Sequence, residues 1–136
     1  MPRPSRHIDQ ALLASGRALY PQLGCAALSV RALAEHAGVN PGMFHYHFES
    51  KEAFLRHLLL QLYDEVFAQL SDEVAHPGPA LARLRQALIV VGRFMREHGA
   101  LIGRVWADAG AGEPVAREFI AANAPRHLGL LLALLD

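Results

Sequence analysis

The sequence predicts an all-α fold, and three observations lead to that prediction. The 136 residues include 23 Ala and 22 Leu but only 8 Val, 4 Ile and no Thr, a balance that favours helices over strands. Apolar residues recur at the helical spacings of three and four along most of the chain. Hydrophobic residues make up 52% and charged residues 19%, which excludes a disordered chain and suffices for a packed core.

The composition also excludes several kinds of protein. The 13 basic and 13 acidic residues give no net charge, so the balance permits nucleic-acid binding without indicating it. Cys25 is the single cysteine and can form neither an internal disulfide nor a thiolate zinc site. We expect it to be a small buried residue, with a reactive thiol as the alternative. No apolar run approaches the roughly 18–20 residues of a membrane span, and no export signal begins the chain. A cytoplasmic protein without membrane association, metal or cofactor is expected.

The N-terminal part is predicted to hold three helices. Ser5 is expected to cap a first helix that runs to about residue 22, where Gly24 ends it. Ser29 caps a short second helix that ends before Gly38, a residue suited to the left-handed conformation. Asn40 caps a third short helix to about residue 48, with a proline at its first position.

The remainder is predicted to be helical as well. Ser50 caps a long fourth helix to about residue 75, and the Pro-Gly-Pro run at 77–79 stops it. Further helices are predicted over residues 80–98, 101–109 and 114 to the end, the last of them broken near 123–125.

The second and third helices form a recognisable unit. They are too short to be stable alone, and the tight turn over residues 36–39 contains Gly38, as in a helix-turn-helix motif. In such a unit the second helix of the pair, here the third helix of the chain, enters the DNA major groove, where exposed side chains reach base edges and phosphates. Phe44 and Phe48 fall on the opposite stripe and are predicted to be core residues.

Three short motifs lie in or beside this unit: Ala37-Gly38-Val39, Tyr46-His47-Phe48 and Ser50-Lys51-Glu52. With the rest of the run from Ser29 to Phe54, they resemble the N-terminal signature of TetR-family transcriptional repressors. The resemblance covers about residues 5–60. It implies a transcriptional repressor that binds double-stranded operator DNA and is released by a small-molecule effector.

The resemblance also implies a set of DNA contacts. Arg31 would reach a base edge, and Arg is the residue that pairs bidentately with guanine. Ser29, His47 and Lys51 would contact phosphates. The surface of the third helix that reads the bases would be formed by Asn40, Pro41, Gly42 and Met43. His45 would face the groove and Tyr46 its rim. Two departures from the family pattern are His45, where a tyrosine is frequent, and Met43, where a small polar residue is frequent. For the histidines, plain surface residues remain the alternative.

An effector pocket is expected between the fourth helix and the helices that follow it. The large, adaptable side chains predicted to line it are Tyr63, Phe67, Phe94, Met95, His98, Arg104, Trp106 and Phe119. Of these, His98 and Arg104 are expected to orient the ligand, and an ordinary packed core is the alternative for each residue. The sequence contains no Gly-rich phosphate loop, HExxH motif or nucleophile elbow, so an enzyme is not expected.

Two regions are therefore predicted: a helix-turn-helix DNA-binding domain over residues 1–50 and a helical effector-binding and dimerisation region over 51–136. The second is expected to be incomplete, because the chain stops within an apolar helical pattern that includes Leu128, Leu132 and Leu135. The resemblance implies further helices and a homodimer in the full-length form. The alternative is a helical ligand-binding or interaction module without a DNA function.

Overall fold

A computed structural model describes residues 4–135 of the chain, with side chains from residue 7 onward. Within that range the fold consists of helices and turns without strands, which confirms the predicted all-α class. The six helices are α1 (Pro4–Ala27), α2 (Val30–Ala37), α3 (Pro41–His47), α4 (Lys51–Ala75), α5 (Ala80–Gly110) and α6 (Pro114–Ala133). The Ser5 side chain, with its predicted capping role, lies outside the described residues. None of the described helices is both long and apolar enough to cross a bilayer.

The predicted end of α1 is confirmed by the backbone of Gly24. Its φ of 72° and ψ of 179° interrupt the helical geometry, and the last residues of α1 form a turn beyond it. An added Cβ at Gly24 would lie 3.0 Å from both the Arg104 Cδ and the Asp108 Oδ1 atoms. Glycine is therefore required here both by its left-handed φ and by the close approach of α5.

The four predicted caps of α2, α3 and α4 are confirmed. The Ser29 and Ser50 hydroxyls each accept from the backbone N–H three residues later, at 3.0 Å. The Asn40 Oδ1 accepts from the Gly42 N–H at 2.8 Å. Gly38 adopts a left-handed φ of 71° and ends α2.

The core forms around α4, which packs against α1, α5 and α6. Phe44 and Phe54 are fully buried, with ring centroids 5.4 Å apart. Phe48 is half-buried and meets Phe54 edge to face at 4.9 Å, so both predicted core aromatics are confirmed. At Gly16 an added Cβ would lie 2.8 Å from the Phe54 ring, which shows how closely α1 crosses α4.

The C-terminal helices differ from the prediction in two places. The two helices expected over 80–98 and 101–109 are joined in α5, although the helical geometry is interrupted at His98 (φ −121°, ψ 21°), where the first of them is predicted to end. The expected break near 123–125 is wrong, because α6 continues through Pro125. Pro125 has no N–H to donate to the preceding turn. A side chain from α4, Tyr63, supports the helix there, as described below.

A buried carboxylate joins α5 to the end of α1. Asp108 is 7% exposed, and its Oδ2 accepts from the Tyr20 hydroxyl at 2.8 Å and from the Cys25 N–H at 2.9 Å. Burial by itself disfavours the charged form, but these hydrogen bonds and the charge of Arg104 hold the pKa of Asp108 below its ordinary value. The carboxylate is therefore ionised at neutral pH.

Cys25 connects three helices at this junction. Its N–H bonds to Asp108, while its carbonyl accepts from the Lys51 Nζ at 2.7 Å, at the first residue of α4. The side chain is 4% exposed, and burial, with a smaller contribution from Asp108, raises the pKa of its thiol to about 12. The prediction that Cys25 is a small buried residue is confirmed.

We predict that Asp108→Asn lowers the free energy of unfolding by about 1–2 kcal/mol at pH 7, because charge-assisted hydrogen bonds become neutral ones. The folded-state pKa of Asp108 lies below the unfolded value of about 3.9, so its contribution is present above that pH and is lost as the pH falls through the folded value. Urea unfolding between pH 3 and pH 7 measures both effects.

The matched control is Asp72→Asn, at an exposed carboxylate on α4. It should leave the free energy of unfolding within about 0.5 kcal/mol of the parent. Equal effects of the two substitutions, or an Asp108→Asn deficit that does not shrink as the pH falls from 7 to 3, would contradict the assigned role of the Asp108 charge.

Candidate nucleic-acid interface and ligand cavity

The helix-turn-helix presents a polar, solvent-exposed face. The Arg31 side chain is 86% exposed at the start of α2, and Tyr46 is 75% exposed on α3. Asn40, Pro41, Gly42 and His45 are exposed on the same short helix or at its cap. Phe44 points the other way and is fully buried. The core thus holds α3 by one side and leaves the other open to a partner.

Arg31 makes one ion pair on this face. Its Nε lies 3.3 Å from the Glu35 Oε1, one helical turn along α2, and both side chains are mostly exposed. Exposed pairs of this kind contribute about 0.3–0.5 kcal/mol, so little energy holds the guanidinium in place. Arg31 can leave Glu35 for a stronger acceptor at small cost.

Five of the predicted contact residues already have internal roles or limited exposure. The Ser29 and Asn40 oxygens cap α2 and α3, and the Lys51 Nζ donates to the Cys25 carbonyl. Two of these groups can still donate, since a serine hydroxyl keeps its proton and an ammonium has three. The His47 Nε2 is buried with no hydrogen-bond partner among the described residues, and Met43 is half-buried. Their phosphate and base contacts stay predictions.

A cavity of about 280 Å³ lies between α4, α5 and α6. Five of the predicted lining residues are in its wall: Tyr63, Phe94, Met95, Trp106 and Phe119. The wall also contains two polar residues from α6, Asn123 and His127, and a further set of apolar residues: Leu59, Leu62, Val66, Leu70, Val91, Leu101, Ile102, Val105, Ile120 and Ala124.

Three predicted lining residues are not in the wall, and each has another partner. Phe67 stacks on Tyr63 with ring centroids 5.9 Å apart and lies under the guanidinium of Arg126, at 4.3 Å. His98 lies at the kink of α5, with its ring 4.9 Å from that of Phe94.

Arg104 is the third predicted lining residue that lies outside the wall. Its guanidinium reaches the end of α1, where Nε and Nη2 each lie 3.3 Å from a backbone carbonyl, those of Pro21 and Gln22. Carbonyls at a helix C-terminus have no partner within the helix, and a cation is well suited to them. The expectation that His98 and Arg104 orient a ligand is therefore wrong.

The polar end of the cavity forms where Tyr63 meets α6. The Tyr63 hydroxyl donates to the Asn123 carbonyl at 2.8 Å and accepts from the His127 N–H at 3.1 Å. These are the two backbone groups that pair directly in a regular helix, so the tyrosine bridges the ladder around Pro125. Burial, more than any other cause, raises the pKa of Tyr63, which keeps the hydroxyl neutral.

Sequence reasoning missed Asn123 and His127 because the segment around Pro125 indicated a helix break. The nearest signal was the polar pair itself, four residues apart and therefore on one face of a helix. The described residues contain no cluster of His, Cys, Asp and Glu that could hold a metal ion.

Comparison with known proteins places this arrangement in a family. The sequence pattern of "Bacterial regulatory proteins, tetR family" matches residues 12–58. The HTH-type transcriptional repressor KstR2 of Mycobacterium tuberculosis is 31% identical over 91 residues, which are 67% of this chain and 46% of that repressor. The chain belongs to the tetR family of bacterial regulatory proteins.

Solved structures of similar proteins share the fold. A putative transcriptional regulator from Pseudomonas aeruginosa has a TM-score of 0.81 at 20% identity, over 93% of this chain and 62% of that one. PfmR, a TetR family transcriptional regulator from Thermus thermophilus, has a TM-score of 0.73 at 25% identity, over 91% of this chain and 68% of that one. The matched part of this chain spans about half the length of the curated relative.

The tetR family match divides the two candidate sites. It runs from Leu12 in α1 to Leu58 in α4, so it contains Arg31, Tyr46 and the rest of the exposed helix-turn-helix face. The polar end of the cavity, from Tyr63 to His127, lies beyond it. Membership of the family therefore bears on the helix-turn-helix, whereas the chemistry of the cavity has to be argued from its own residues.

We predict that Tyr63→Phe speeds hydrogen exchange of the His127 amide by about five- to tenfold and lowers the free energy of unfolding by about 1 kcal/mol. The reason is the loss of the bridging hydroxyl beside Pro125. The control is Tyr46→Phe, at a side chain that is 75% exposed. Amide exchange followed by NMR decides the matter, and an unchanged rate at His127 would refute the bridging role.

Proposed function

We propose that this protein is a DNA-binding transcriptional regulator that acts as a repressor. The observation that carries the proposal is the exposed face of α2 and α3, which lies inside the segment matched by the tetR family pattern. The KstR2 relative is a transcriptional repressor, which supports the direction of regulation. On this proposal the protein works by occupying double-stranded operator DNA, and the compartment is the cytoplasm.

In the proposed complex α3 lies in the major groove. Arg31 reads a base edge from the start of α2, leaving its weak pair with Glu35. Tyr46 offers a hydroxyl and an aromatic face at the rim, while Lys51 and Ser29 supply hydrogen bonds to phosphates. The N-terminal caps that Ser29 and Asn40 form hold the starts of α2 and α3 in place. A more rigid reading surface loses less entropy on binding.

We further propose that a small molecule in the cavity releases the DNA. Helix α4 runs from Lys51, at the junction with α1, to Leu70 in the cavity wall, so one rigid element touches both sites. A ligand that binds more tightly when α4 is in one of two positions shifts the protein toward that position, and the helix-turn-helix moves with α4. The size of the shift is limited by the difference in the ligand's affinity for the two positions.

We propose that tight operator binding needs two helix-turn-helix units, and hence a homodimer of the full-length protein. Leu128, Leu132 and Leu135 are 51%, 60% and 69% exposed on and just beyond α6, which suits a surface that another subunit covers.

The test is titration of duplexes with the protein, using a site selected from a random duplex library and an unrelated duplex as competitor. Arg31→Ala should weaken binding to the selected site by about 1–3 kcal/mol and reduce discrimination between the two duplexes. Lys51→Met should weaken both duplexes alike and lower the slope of log affinity against log salt by about one unit.

The matched control is Arg93→Ala, at an exposed arginine on α5 away from the helix-turn-helix. It should leave both affinities unchanged. A parent protein that selects no duplex would favour the alternative function, a helical ligand-binding or interaction module. Equal weakening of both duplexes by Arg31→Ala would show that Arg31 contacts phosphate and not a base.

A further inference from the structure

The hydrogen bonds around the Tyr63 oxygen determine where the proton on His127 lies. Three groups contact this oxygen: the Asn123 carbonyl at 2.8 Å, the His127 N–H at 3.1 Å and the His127 Nδ1 at 2.9 Å. A carbonyl can only accept, so the single hydroxyl proton of Tyr63 goes to Asn123. The Nδ1 atom must therefore carry a proton and donate to the tyrosine oxygen.

This assignment leaves one acceptor at the polar end of the cavity. A neutral imidazole that is protonated on Nδ1 has its lone pair on Nε2. The described side chains include no hydrogen-bond partner for the His127 Nε2, although the residue lines the cavity. Tyr63 thus fixes the tautomer of His127 and leaves Nε2 available to a ligand.

The other polar α6 side chain in the wall, Asn123, is held in place by two hydrogen bonds. The Asn123 Nδ2 donates to the Phe119 carbonyl at 2.9 Å, and its Oδ1 accepts from the Arg126 Nη1 at 3.1 Å. Arg126 itself lies over Phe67 and pairs with Asp64, and it is not in the wall. The described wall has no Asp, Glu, Lys or Arg.

We propose that the cavity binds an uncharged, mainly apolar molecule that carries one hydrogen-bond donor, such as a hydroxyl, and donates it to the Nε2 of His127. This inference rests on the proposed effector site and names the chemistry of its ligand. The apolar wall supplies most of the binding energy, and His127 selects the donor. At about 280 Å³ the cavity is close to the lower end of the usual size of small-molecule sites.

A charged ligand fits this wall less well. A carboxylate would face the Nε2 lone pair of the neutral imidazole in a wall that contains no Lys or Arg, and burial of a carboxylate without a partner is strongly unfavourable. An alkylammonium group would find aromatic faces but no carboxylate in the wall. The neutral donor is the ligand group for which the existing hydrogen bonds need no rearrangement.

The test compares two isomeric probes, 1-octanol and heptyl methyl ether, which differ in having or lacking a donor. Trp106 is the single tryptophan and lies in the cavity wall with much of its side chain exposed, so its fluorescence is followed as the readout of binding. We expect 1-octanol to bind about five- to tenfold more tightly than the ether, the worth of one hydrogen bond. Octanoate and octylammonium should bind more weakly than the alcohol.

Variants identify the group responsible. In His127→Phe the preference for the alcohol should fall below about twofold while the ether binds as before. Tyr63→Phe, which releases the tautomer, should reduce the preference without abolishing ether binding. The control His57→Phe, at an exposed histidine on α4 outside the cavity, should keep the full preference.

Several results would overturn the proposal: equal affinities for the two isomers, tighter binding of octanoate or octylammonium, or an alcohol preference that survives in His127→Phe. The regulatory function is tested separately by adding 1-octanol to the protein–duplex complex. A His127-dependent alcohol preference without any change in duplex affinity would uphold the ligand chemistry and refute the effector role.

Discussion

The buried carboxylate of Asp108 is the interaction on which the arrangement of the molecule depends. Two groups from the end of α1, the Tyr20 hydroxyl and the Cys25 N–H, converge on one of its oxygens. An isolated charge at such a depth would be strongly unfavourable, so these donors must stay in place for the fold to keep it. Because Cys25 also accepts from Lys51, the same turn determines where α4 begins relative to α5. The end of α1, the start of α4 and α5 therefore meet at one set of hydrogen bonds, which a displacement of any of these helices would break.

Tyr63 plays a comparable role further along α4. Its aromatic ring belongs to the cavity wall, whereas its hydroxyl belongs to the backbone ladder of α6. A group bound in the cavity therefore lies against the side chain that supports α6 at Pro125. Both the junction with α1 and the support of α6 involve α4, at Lys51 and Tyr63, about three helical turns apart. A shift of α4 caused by a ligand would be felt at both places, which is a physical basis for the proposed coupling of cavity and DNA.

Much of the helix-turn-helix could be predicted because its signals are local. Ser29, Asn40 and Ser50 each cap through a backbone group two or three residues away, so the sequence itself contains both partners. Gly38 likewise ends α2 through its own φ. The exposed face of α3 follows from burial of the opposite stripe at Phe44, and the family resemblance of the surrounding motifs was confirmed by the comparisons. The DNA contacts of individual residues stay predictions.

The cavity shows where sequence reasoning ended. Large side chains on α4 and the helices after it indicate a pocket, and five of the eight lie in its wall, but the two that are expected to orient a ligand, Arg104 and His98, do not. Arg104 instead meets carbonyls more than 80 positions earlier in the chain. Pro125 indicated a broken helix, since nothing near it in sequence supplies the missing hydrogen bonds. Tyr63, which bonds to the Asn123 carbonyl and the His127 N–H on either side of Pro125, is 60 and 64 positions away from them in the chain.

Helices α2 to α4, their caps and the helix-turn-helix can be derived from the sequence alone, because each of these depends on residues within about one turn of one another. Packing of the helices sets which polar groups are hydrogen-bonded within the protein and which remain available to a ligand. Asp108 accepts hydrogen bonds from α1, the Asn123 amide donates within its own helix, and the Tyr63 hydroxyl bonds to the backbone of α6. The Nε2 of His127 has no such partner among the described side chains. The physical reason is that a hydrogen bond needs two atoms about 3 Å apart, and for groups far apart in sequence that distance exists only after the helices have packed.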